Sequence, residues 1–200
     1  MLFKIPRARV GVLIGREGQV KEFIEQRLGI LIDVNSETGD IEVTLQNPGN
    51  DPSSLFRARD LITAIGRGFA PEKAYMLLED DSYLWMIDLR DFFGKNQSEI
   101  KRVNGRIIGH DGKTRRTLEE LTNTHISVYG HTIGIIGEPL NLDVTRTAIE
   151  MLIKGSLHRT AYRYLEGKRN VLRESEMDIW KDIPESKEES KEESKEEDTG

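Results

Sequence analysis

The sequence predicts an α+β fold made of two consecutive copies of one β-α-α-β-β-α unit. Three observations indicate this: a repeat at a fixed offset, the same order of elements in each copy, and a Gly-x-x-Gly turn between two helices of each copy. A shift of 94 positions aligns residues 11–34 with 105–128, and seven of these 24 pairs are identical, where about one or two would be expected by chance. Two copies indicate a tandem pair of domains rather than a solenoid.

The first copy begins with a short strand and two helices that flank a tight turn. The second of these helices has its apolar residues on one face, at helical spacing. A β-branched run and a stretch of alternating apolar residues then predict two strands, and a helix follows a Pro-Gly break. The predicted elements are strand 2–5, helix 7–14, turn 15–18, helix 19–28, strand 30–34, strand 41–45 and a last helix ending at Gly66 or Gly68.

The second copy repeats this order, and the remaining segments are helical or polar. Its predicted elements are strand 83–89, helix 98–108, turn 109–112, helix 113–122, strands 125–129 and 132–136, and a helix after Pro139. A further helix is predicted at 71–78, a polar hinge at 79–82 and a basic helix at 158–172. The domains predicted from this pattern are 1–70, a helical linker 71–81, a second domain 82–156, a C-terminal basic helix 157–176 and an acidic, mostly disordered tail 177–200.

The formal net charge of −6 is unevenly distributed along the chain. Residues 1–94 carry 11 basic and 15 acidic groups, residues 95–173 carry 14 and 8, and residues 174–200 carry 4 and 12. The whole-chain charge argues mildly against nucleic acid, because nucleic-acid binders usually carry a basic surplus. The partition instead gives a basic second copy between an acidic first copy and an acidic tail.

Composition and spacing exclude several classes of protein. There is no Cys, so disulfides, thiolate metal sites and cysteine nucleophiles are absent, and the four His lack the spacing of a zinc site. No apolar run is long enough for a membrane span and no signal peptide is recognisable, so we expect a soluble, cytoplasmic protein without membrane contact. No paired carboxylates or nucleophile–base set stands out, so we expect no enzyme, metal or cofactor. A P-loop reading of Gly112-Lys113-Thr114 fails because Ile107 stands where that motif needs Gly.

The Gly-x-x-Gly turns are the motif that indicates chemistry. The first Gly can leave the helix with positive φ, and the second lets the next helix start close by. Because neither has a Cβ, a polymer backbone can approach, and the next helix's N-terminus offers N–H donors and partial positive charge to a phosphate. The alternative is an ordinary helix–turn–helix connection with Gly caps. Recurrence of Ile-Gly-x-x-Gly within the same element string favours phosphate binding.

At residues 12–18 and 106–112 the chain resembles the KH domain family of RNA-binding modules in its type I (eukaryote-type) topology. The resemblance covers about residues 1–70 and 82–156, and it implies a three-stranded antiparallel sheet in each copy. It also implies that each loop clamps about four backbone nucleotides of a single strand. The bases would lie over an apolar floor, formed by Ile107, Ile108 and Ile126 in the second copy and by Leu13, Ile14 and Ile32 in the first.

The two copies are predicted to differ in RNA binding. Lys113, Arg115 and Arg116 fall in the first turn of a helix, where each cation opposes the helix dipole by about 0.3–1 kcal/mol unless an anion binds there. The first copy has Glu17 in its loop and Glu22 and Glu25 just after it. The predicted principal site is Arg102, Arg106, Ile107, Ile108, Gly109, His110, Asp111, Gly112, Lys113, Arg115, Arg116 and Ile126. The predicted secondary site is Ile14, Gly15, Arg16, Glu17, Gly18 and Lys21. Asp111 counts against this assignment, because its carboxylate would face the phosphate. The basic helix at 158–172 could extend the RNA-binding surface, or its basic residues could be a solvated face.

A longer stretch is similar to a narrower group. Residues 104–116, 133–137 and 146–149 resemble the Krr/Dim/partner-of-Nob group of KH proteins of small-subunit ribosome assembly, over about residues 1–176. The intact first Gly-x-x-Gly is similar to the archaeal members. This resemblance implies single-stranded RNA as the partner, near the 3′ end of the small-subunit rRNA precursor, and a Nob-type endonuclease as a protein partner. The alternatives are a protein–protein scaffold with KH folds and a general RNA chaperone or RNA-decay adaptor.

The tail repeats Ser-Lys-Glu-Glu three times from Ser186 and contains no apolar residue there, which predicts disorder. It could compete with RNA for the basic half, keep the protein off non-specific nucleic acid, or only solubilise the chain. Just before it, Met177, Ile179, Trp180 and Ile183 are apolar residues in an acidic stretch. They are predicted to pack on the body or to dock a protein partner.

Overall fold

The β-α-α-β-β-α order is present twice in the computed structural model, which describes the backbone of residues 1–181 and the side chains of residues 1–169. The first copy consists of β1 (Leu2–Lys4), α1 (Arg7–Ile14), a single turn Arg16–Gly18, α2 (Gln19–Leu28), β2 (Ile30–Val34), β3 (Asp40–Leu45) and α3 (Ser53–Gly66). It is followed by α4 (Pro71–Ala74) and a turn Tyr75–Leu78.

The second copy has the same elements and one short helix that the sequence did not predict. It consists of β4 (Tyr83–Asp88), α5 (Arg90–Phe93), α6 (Gln97–Ile108), a turn His110–Gly112, α7 (Lys113–Thr122), β5 (His125–Tyr129), β6 (Thr132–Gly137), α8 (Pro139–Ile153) and α9 (His158–Lys181). The last helix therefore runs nine residues beyond its predicted end. The predicted tail from residue 182 onward, and the side chains of Met177, Ile179, Trp180 and Ile183, lie outside the described part.

Each copy has a three-stranded antiparallel sheet with the third strand along the chain in the centre, in the order β1-β3-β2 and β4-β6-β5. The hairpins differ in length. Val34 pairs with Ile41 in the first copy, whereas the equivalent Val128 pairs with Ile133. The second hairpin is thus two residues shorter, and the offset between the copies changes from 94 to 92. This is why the sequence repeat can be followed through β2 and β5 and then stops.

The second copy encloses its own core between its sheet and four helices. Ile107, Leu118, Ile133, Ile135 and Ile149 are completely buried there. Ala161 and Leu165 of α9 are buried in the same core, so the first part of the predicted basic helix is packed against α7 and α8 rather than projecting from the domain. Burial of these apolar side chains contributes about 1.5–3 kcal/mol each for the larger ones.

The sheet of the second copy is covered on both faces. Every residue of β6 is buried, whereas β3 alternates buried and solvent-facing residues. Ile133 and Ile135 face the core of the second copy, but Ile136 belongs to the core of the first copy, together with Phe69, Ala74 and Leu77. The end of the first copy and the segment after it therefore pack on the back of the second sheet.

Glycine in β6 makes this close packing possible. A Cβ on Gly134 would lie 2.6 Å from Cε2 of Phe69, far inside contact distance. Two polar contacts accompany the packing: Ser127 Oγ donates to the Arg67 carbonyl at 2.9 Å, and Lys73 Nζ lies 3.3 Å from Glu119 Oε1. The predicted linker is thus a packed segment that fixes how the two copies are oriented.

Candidate nucleic-acid interface

The two Gly-x-x-Gly loops have nearly the same backbone conformation. The first Gly has φ 75° and ψ 180° in the first copy and φ 73° and ψ 177° in the second. The third residue, Glu17 or Asp111, has φ 53° or 49°, which is unusual for a residue other than glycine. The loop geometry is therefore a property of the repeated unit, maintained despite different side chains.

The two glycines of the second loop serve different purposes. A Cβ on Gly109 would lie 2.3 Å from Thr114 Oγ1, so the absence of a side chain lets α7 start directly against the end of α6. A Cβ on Gly112 would have nothing nearer than Arg115 Nη2 at 4.0 Å, so this glycine leaves open space outside the loop. The first glycine is required by packing, and the second leaves room for an approaching ligand.

Beside the loop, α6 presents a smooth exposed face. Gly105 and Ile108 are exposed and lie three residues apart, so they share one side of the helix. Gly105 has no atom within 4 Å of where its Cβ would be, and the equivalent Gly11 of α1 has the same open surroundings. An exposed glycine inside a helix costs about 0.5–1 kcal/mol relative to alanine, so its presence in both copies indicates a use for the bare backbone. Neither glycine is among the predicted site residues, although their identity in the repeat was the available signal.

The structure corrects the predicted apolar floor. The side chains of Ile107 and Ile126 are buried in the core, as are those of Leu13 and Ile32 in the first copy. Of the predicted set in the second copy, Ile108 is the isoleucine whose side chain reaches the surface, being 36% exposed. Residues that alternate with core positions on a helix or strand can be assigned to the wrong face when the register against neighbouring elements is unknown.

The loop of the second copy carries the predicted cations on the surface. His110, Lys113 and Arg116 are exposed, and no acidic residue lies in the first turn of α7 and no side chain caps its N-terminus. Arg116 Nη2 donates to the carbonyl of Asp111 at 3.0 Å, which brings its guanidinium back over the loop. The Lys113 N–H donates to the His110 carbonyl, and the following N–H groups of the first helical turn have no acceptor within the helix. The N-terminus of α7 and these cations together form a positively charged surface beside the loop.

Besides Arg116, three predicted arginines have partners within the protein, and one of them is Arg115, whose Nε lies 3.8 Å from Glu119 Oε2. Arg102 Nη2 is 2.6 Å from Glu99 Oε2 on the exposed side of α6, so its charge is balanced by a neighbouring carboxylate. Arg106 donates through Nη2 to the carbonyl of Ser156, and His158 Nε2 lies 2.9 Å from the Arg106 carbonyl. Arg106 was predicted in the RNA site, but it is turned toward the α8–α9 junction, where it holds the start of α9.

Asp111 is less unfavourable than its position suggests. Its Oδ2 lies 2.9 Å from His110 Nδ1, and both side chains are more than four-fifths exposed to solvent. Because the carboxylate is largely exposed, water screens its charge. The carboxylate is therefore paired outward rather than aimed into the loop.

The first copy has the same loop with weaker positive charge. Arg16 and Glu17 are both exposed, and Glu22 lies in the first turn of α2, where it stabilises the helix dipole instead of leaving it for a ligand. Lys21 Nζ is 3.7 Å from Glu25 Oε1, and the equivalent Arg115 Nε is 3.8 Å from Glu119 Oε2, so this ion pair is common to both copies and the difference lies in the first helical turn. The geometry for binding is present, but its electrostatic attraction for phosphate is smaller.

A repeated glutamate fixes the strand beside each loop helix. Glu25 Oε1 accepts the backbone N–H of Ile32 at 2.7 Å, and Glu119 Oε1 accepts that of Ile126 at 2.8 Å. These carboxylates satisfy one donor on the free edge of β2 and of β5. Glu25 was predicted to disfavour phosphate in the first copy, but Glu119 occupies the equivalent position and makes the equivalent hydrogen bond in the second, so this residue does not distinguish the two copies.

His125 at the start of β5 lies near both Lys73 and Glu119. Burial, and next the positive charge of Lys73, hold the pKa of His125 below its ordinary value, although Glu119 opposes the shift. A lowered pKa keeps the imidazole neutral at neutral pH, so this histidine adds no charge to the interface. Within residues 1–169, no cluster of His, Asp and Glu side chains could hold a metal ion.

We expect Gly105→Leu to separate binding from stability. The substitution places a side chain on the exposed face beside the loop, where a nucleic-acid strand would have to be displaced, whereas leucine is a better helix former than glycine. The expected result is at least about tenfold weaker RNA binding, equivalent to about 1.4 kcal/mol, with an unchanged or higher melting temperature. Fluorescence anisotropy with a labelled single strand and thermal denaturation measure the two effects. Unchanged affinity would remove this face from the interface.

Family models match both copies of the chain. Residues 83–170 match a eukaryotic type KH-domain (KH-domain type I), and residues 1–64 match a KH domain. The first of these matches continues into α9, in agreement with the packing of that helix on the second core. No helix within residues 1–181 is long and apolar enough to cross a membrane.

Relatives cover most of the chain. A KH domain-containing protein of Methanocaldococcus jannaschii is 40% identical over 180 residues, which are 90% of this chain and 78% of that protein. The RNA-binding protein pno1 of Dictyostelium discoideum is 33% identical over 153 residues, 76% of this chain and 64% of that protein. The pre-rRNA-processing protein PNO1 of Coccidioides immitis is 28% identical, with 76% of this chain and 60% of that protein covered. The chain thus spans less than two thirds of these two eukaryotic relatives.

A solved structure gives the same result in three dimensions. The a/eIF2alpha-aDim2p-rRNA complex of Pyrococcus horikoshii contains a chain with a TM-score of 0.80 and 44% identity, covering 86% of this chain and 94% of that one. The two loops, the two sheets and their helices define a tandem KH-domain protein of type I. Within that class, the chain belongs to the family of archaeal Dim2 and eukaryotic PNO1 proteins.

Proposed function

We propose that this chain binds single-stranded RNA of the small ribosomal subunit, through the loop of its second copy, as a ribosome biogenesis factor. The observation that carries the proposal is the uncapped N-terminus of α7, which has cations and no carboxylate in its first turn. That arrangement is unfavourable for an isolated helix and favourable once a phosphate binds. The bare face at Gly105 and Ile108 continues from the loop and offers a surface for the bases.

The relatives support rRNA as the ligand. The Pyrococcus structure is a complex of aDim2p with rRNA, and the fungal relatives are named for pre-rRNA processing. The family resemblance points to the 3′ end of the small-subunit rRNA precursor, and to a Nob-type endonuclease that would cut near the bound segment. In this proposal the chain itself is a non-catalytic RNA-binding protein that presents the single strand.

The salt dependence of binding tests the proposal. If the loop clamps about four nucleotides and contacts about three phosphates, log K should fall with log salt with a slope of about −2 for a single strand. The measurement is a titration of a labelled oligonucleotide with the sequence of the small-subunit rRNA 3′ end, between about 50 and 300 mM salt. A scaffold whose KH folds have lost RNA binding would show no salt-dependent affinity, and the proposal would then be wrong.

A scrambled oligonucleotide of equal length and composition distinguishes the proposal from a general RNA chaperone. The rRNA 3′ end should bind at least about tenfold more tightly than the scrambled strand, a difference of about 1.4 kcal/mol. Equal affinities at all salt concentrations would favour a chaperone or an RNA-decay adaptor.

A further inference from the structure

An open groove lies on the side of the second copy away from the loop, between the edge strand β4 and helix α8. It has a volume of about 480 Å³ and is lined by Tyr83, Leu84, Trp85, Pro139, Leu142, Asp143 and Arg146. In the sheet order β4-β6-β5, strand β5 is the one next to the loop helix and β4 is the opposite edge. The groove is therefore separate from the proposed RNA site.

The groove leaves about half of the surface of two aromatic side chains open to solvent. Tyr83 is 52% exposed and Trp85 is 44% exposed, next to largely apolar neighbours. Large aromatic side chains are rarely left at the surface together with an apolar pocket unless they bind something, because the surface costs hydration free energy. The size of the groove fits one or two large apolar side chains of a ligand.

The charges around the groove select the kind of ligand. The two segments that build it, residues 79–88 and 138–150, contain seven acidic residues and one basic residue; Asp80 and Asp88 pair with Arg57 and Arg90 from outside the segments, which leaves Glu79, Asp81 and Glu138 without an ion pair in the described part of the chain. The basic residue, Arg146, is already balanced: its Nε lies 3.3 Å from Glu150 Oε1 and its Nη2 lies 4.0 Å from Asp143 Oδ1. A phosphate backbone would be repelled here, and so would the acidic residues of the tail of this chain.

The tryptophan already accepts a cation. The guanidinium carbon of Arg146 lies 5.1 Å from the centroid of the Trp85 ring, within the range of a cation–π contact. With acidic groups around an aromatic surface, a lysine or arginine of a ligand gains both ion pairing and contact with the ring. A peptide that carries lysine or arginine therefore fits both the aromatic lining of the groove and the acidic residues around it.

We propose that the β4–α8 groove docks a basic segment of a partner protein, a peptide rich in lysine and arginine that inserts a large apolar side chain beside Trp85. The two faces of the second copy would then bind ligands of opposite charge, RNA at the α7 end and a cationic peptide at the β4 edge. This inference does not depend on the RNA proposal, because different residues carry it.

Selection from a random library of 12-residue displayed peptides tests the groove. The whole chain is the target, and a Trp85→Ala chain is used for counter-selection. Enriched peptides are expected to carry several Lys or Arg residues around a Phe, Trp or Leu. Enrichment of acidic peptides, or no enrichment over the counter-selected chain, would overturn the proposal.

Affinities of one enriched synthetic peptide then locate the contact. Trp85→Ala and Asp143→Lys should each weaken binding at least about tenfold, and the second variant tests the groove without removing an aromatic side chain. Phe92→Ala is the matched control, since Phe92 is 45% exposed outside the groove, and His110→Asp is the control for the RNA loop; both should leave the affinity within about twofold. Three outcomes would contradict a peptide partner at this groove. The first is an equal loss of affinity in Phe92→Ala and Trp85→Ala, and the second is displacement of the peptide by the rRNA oligonucleotide. The third is concentration-dependent self-association of the protein that Asp143→Lys abolishes.

Discussion

Replacing His110 by Asp should weaken binding of the rRNA 3′-end oligonucleotide by about ten- to a hundredfold, the loss expected when one or more hydrogen bonds to a charged phosphate fail. The loop already contains Asp111, so the substitution places two adjacent carboxylates where the phosphate approaches. His110 is 93% exposed, so the change should alter stability by no more than about 0.5 kcal/mol. Anisotropy titrations at one fixed salt concentration measure the loss, and circular dichroism checks the fold.

The first copy supplies the matched control for this substitution. Arg16 occupies the equivalent loop position, and Arg16→Asp introduces a carboxylate next to Glu17 with a larger change of charge. If the second copy is the principal site, Arg16→Asp should reduce affinity less than about threefold, a change of about 0.6 kcal/mol. The opposite ranking of the two variants would move the principal site to the first copy.

Truncating Phe69 should destabilise the protein by about 3–5 kcal/mol, the usual cost of removing a buried phenylalanine side chain. Phe69 is 2% exposed and lies between the core of the first copy and Gly134 of the second sheet. Because it joins the two copies, its loss should uncouple them, and calorimetry should then resolve two unfolding transitions in place of one.

Phe92→Ala is the control for this prediction, since Phe92 is 45% exposed and should cost less than about 1 kcal/mol. Denaturant unfolding followed by circular dichroism gives both free energies. A loss below about 1 kcal/mol in Phe69→Ala would mean that the contact between the copies contributes little, and that each copy is stable alone.

Elements with strong local patterns could be predicted to the residue. Helices α2 and α7 and strands β2 and β5 begin and end where the periodicity and the glycine turns place them. The four-residue helix α5 was missed because it is too short to show a helical period, and it depends on Asp88, whose Oδ1 accepts the Arg90 N–H at 2.9 Å. Short elements that rest on one side-chain contact leave little trace in a hydrophobic pattern.

The candidate site was predicted better for its loop than for its surroundings. The motif gives the glycines and the charges because they follow one another in the chain. The packing of the sheet and α9 determines which side of α6 faces solvent. As a result Ile107 is buried, Ile108 is exposed, and Arg106 is turned toward Ser156. Glu119 and Gly105 were visible as identities between the copies, but their roles depend on an edge strand and an open face that only the folded chain has.

The orientation of the two copies relative to each other could not be predicted from the sequence. It depends on Phe69 meeting a glycine 65 positions away, and no local pattern encodes that contact. The predicted linker looked like a connection between modules, yet Ala74 and Leu77 belong to a core. Apolar residues in a presumed linker were the available sign that it is packed.

The burial of β6 on both faces restricts substitution in the second sheet more than in the first. In β3, the outward positions Glu42 and Thr44 face solvent and can be replaced at little cost. In β6 every position is buried, so larger side chains at Gly134 and Ile136 would be overpacked. The central strand of the second sheet therefore tolerates larger side chains at fewer positions than its counterpart in the first sheet.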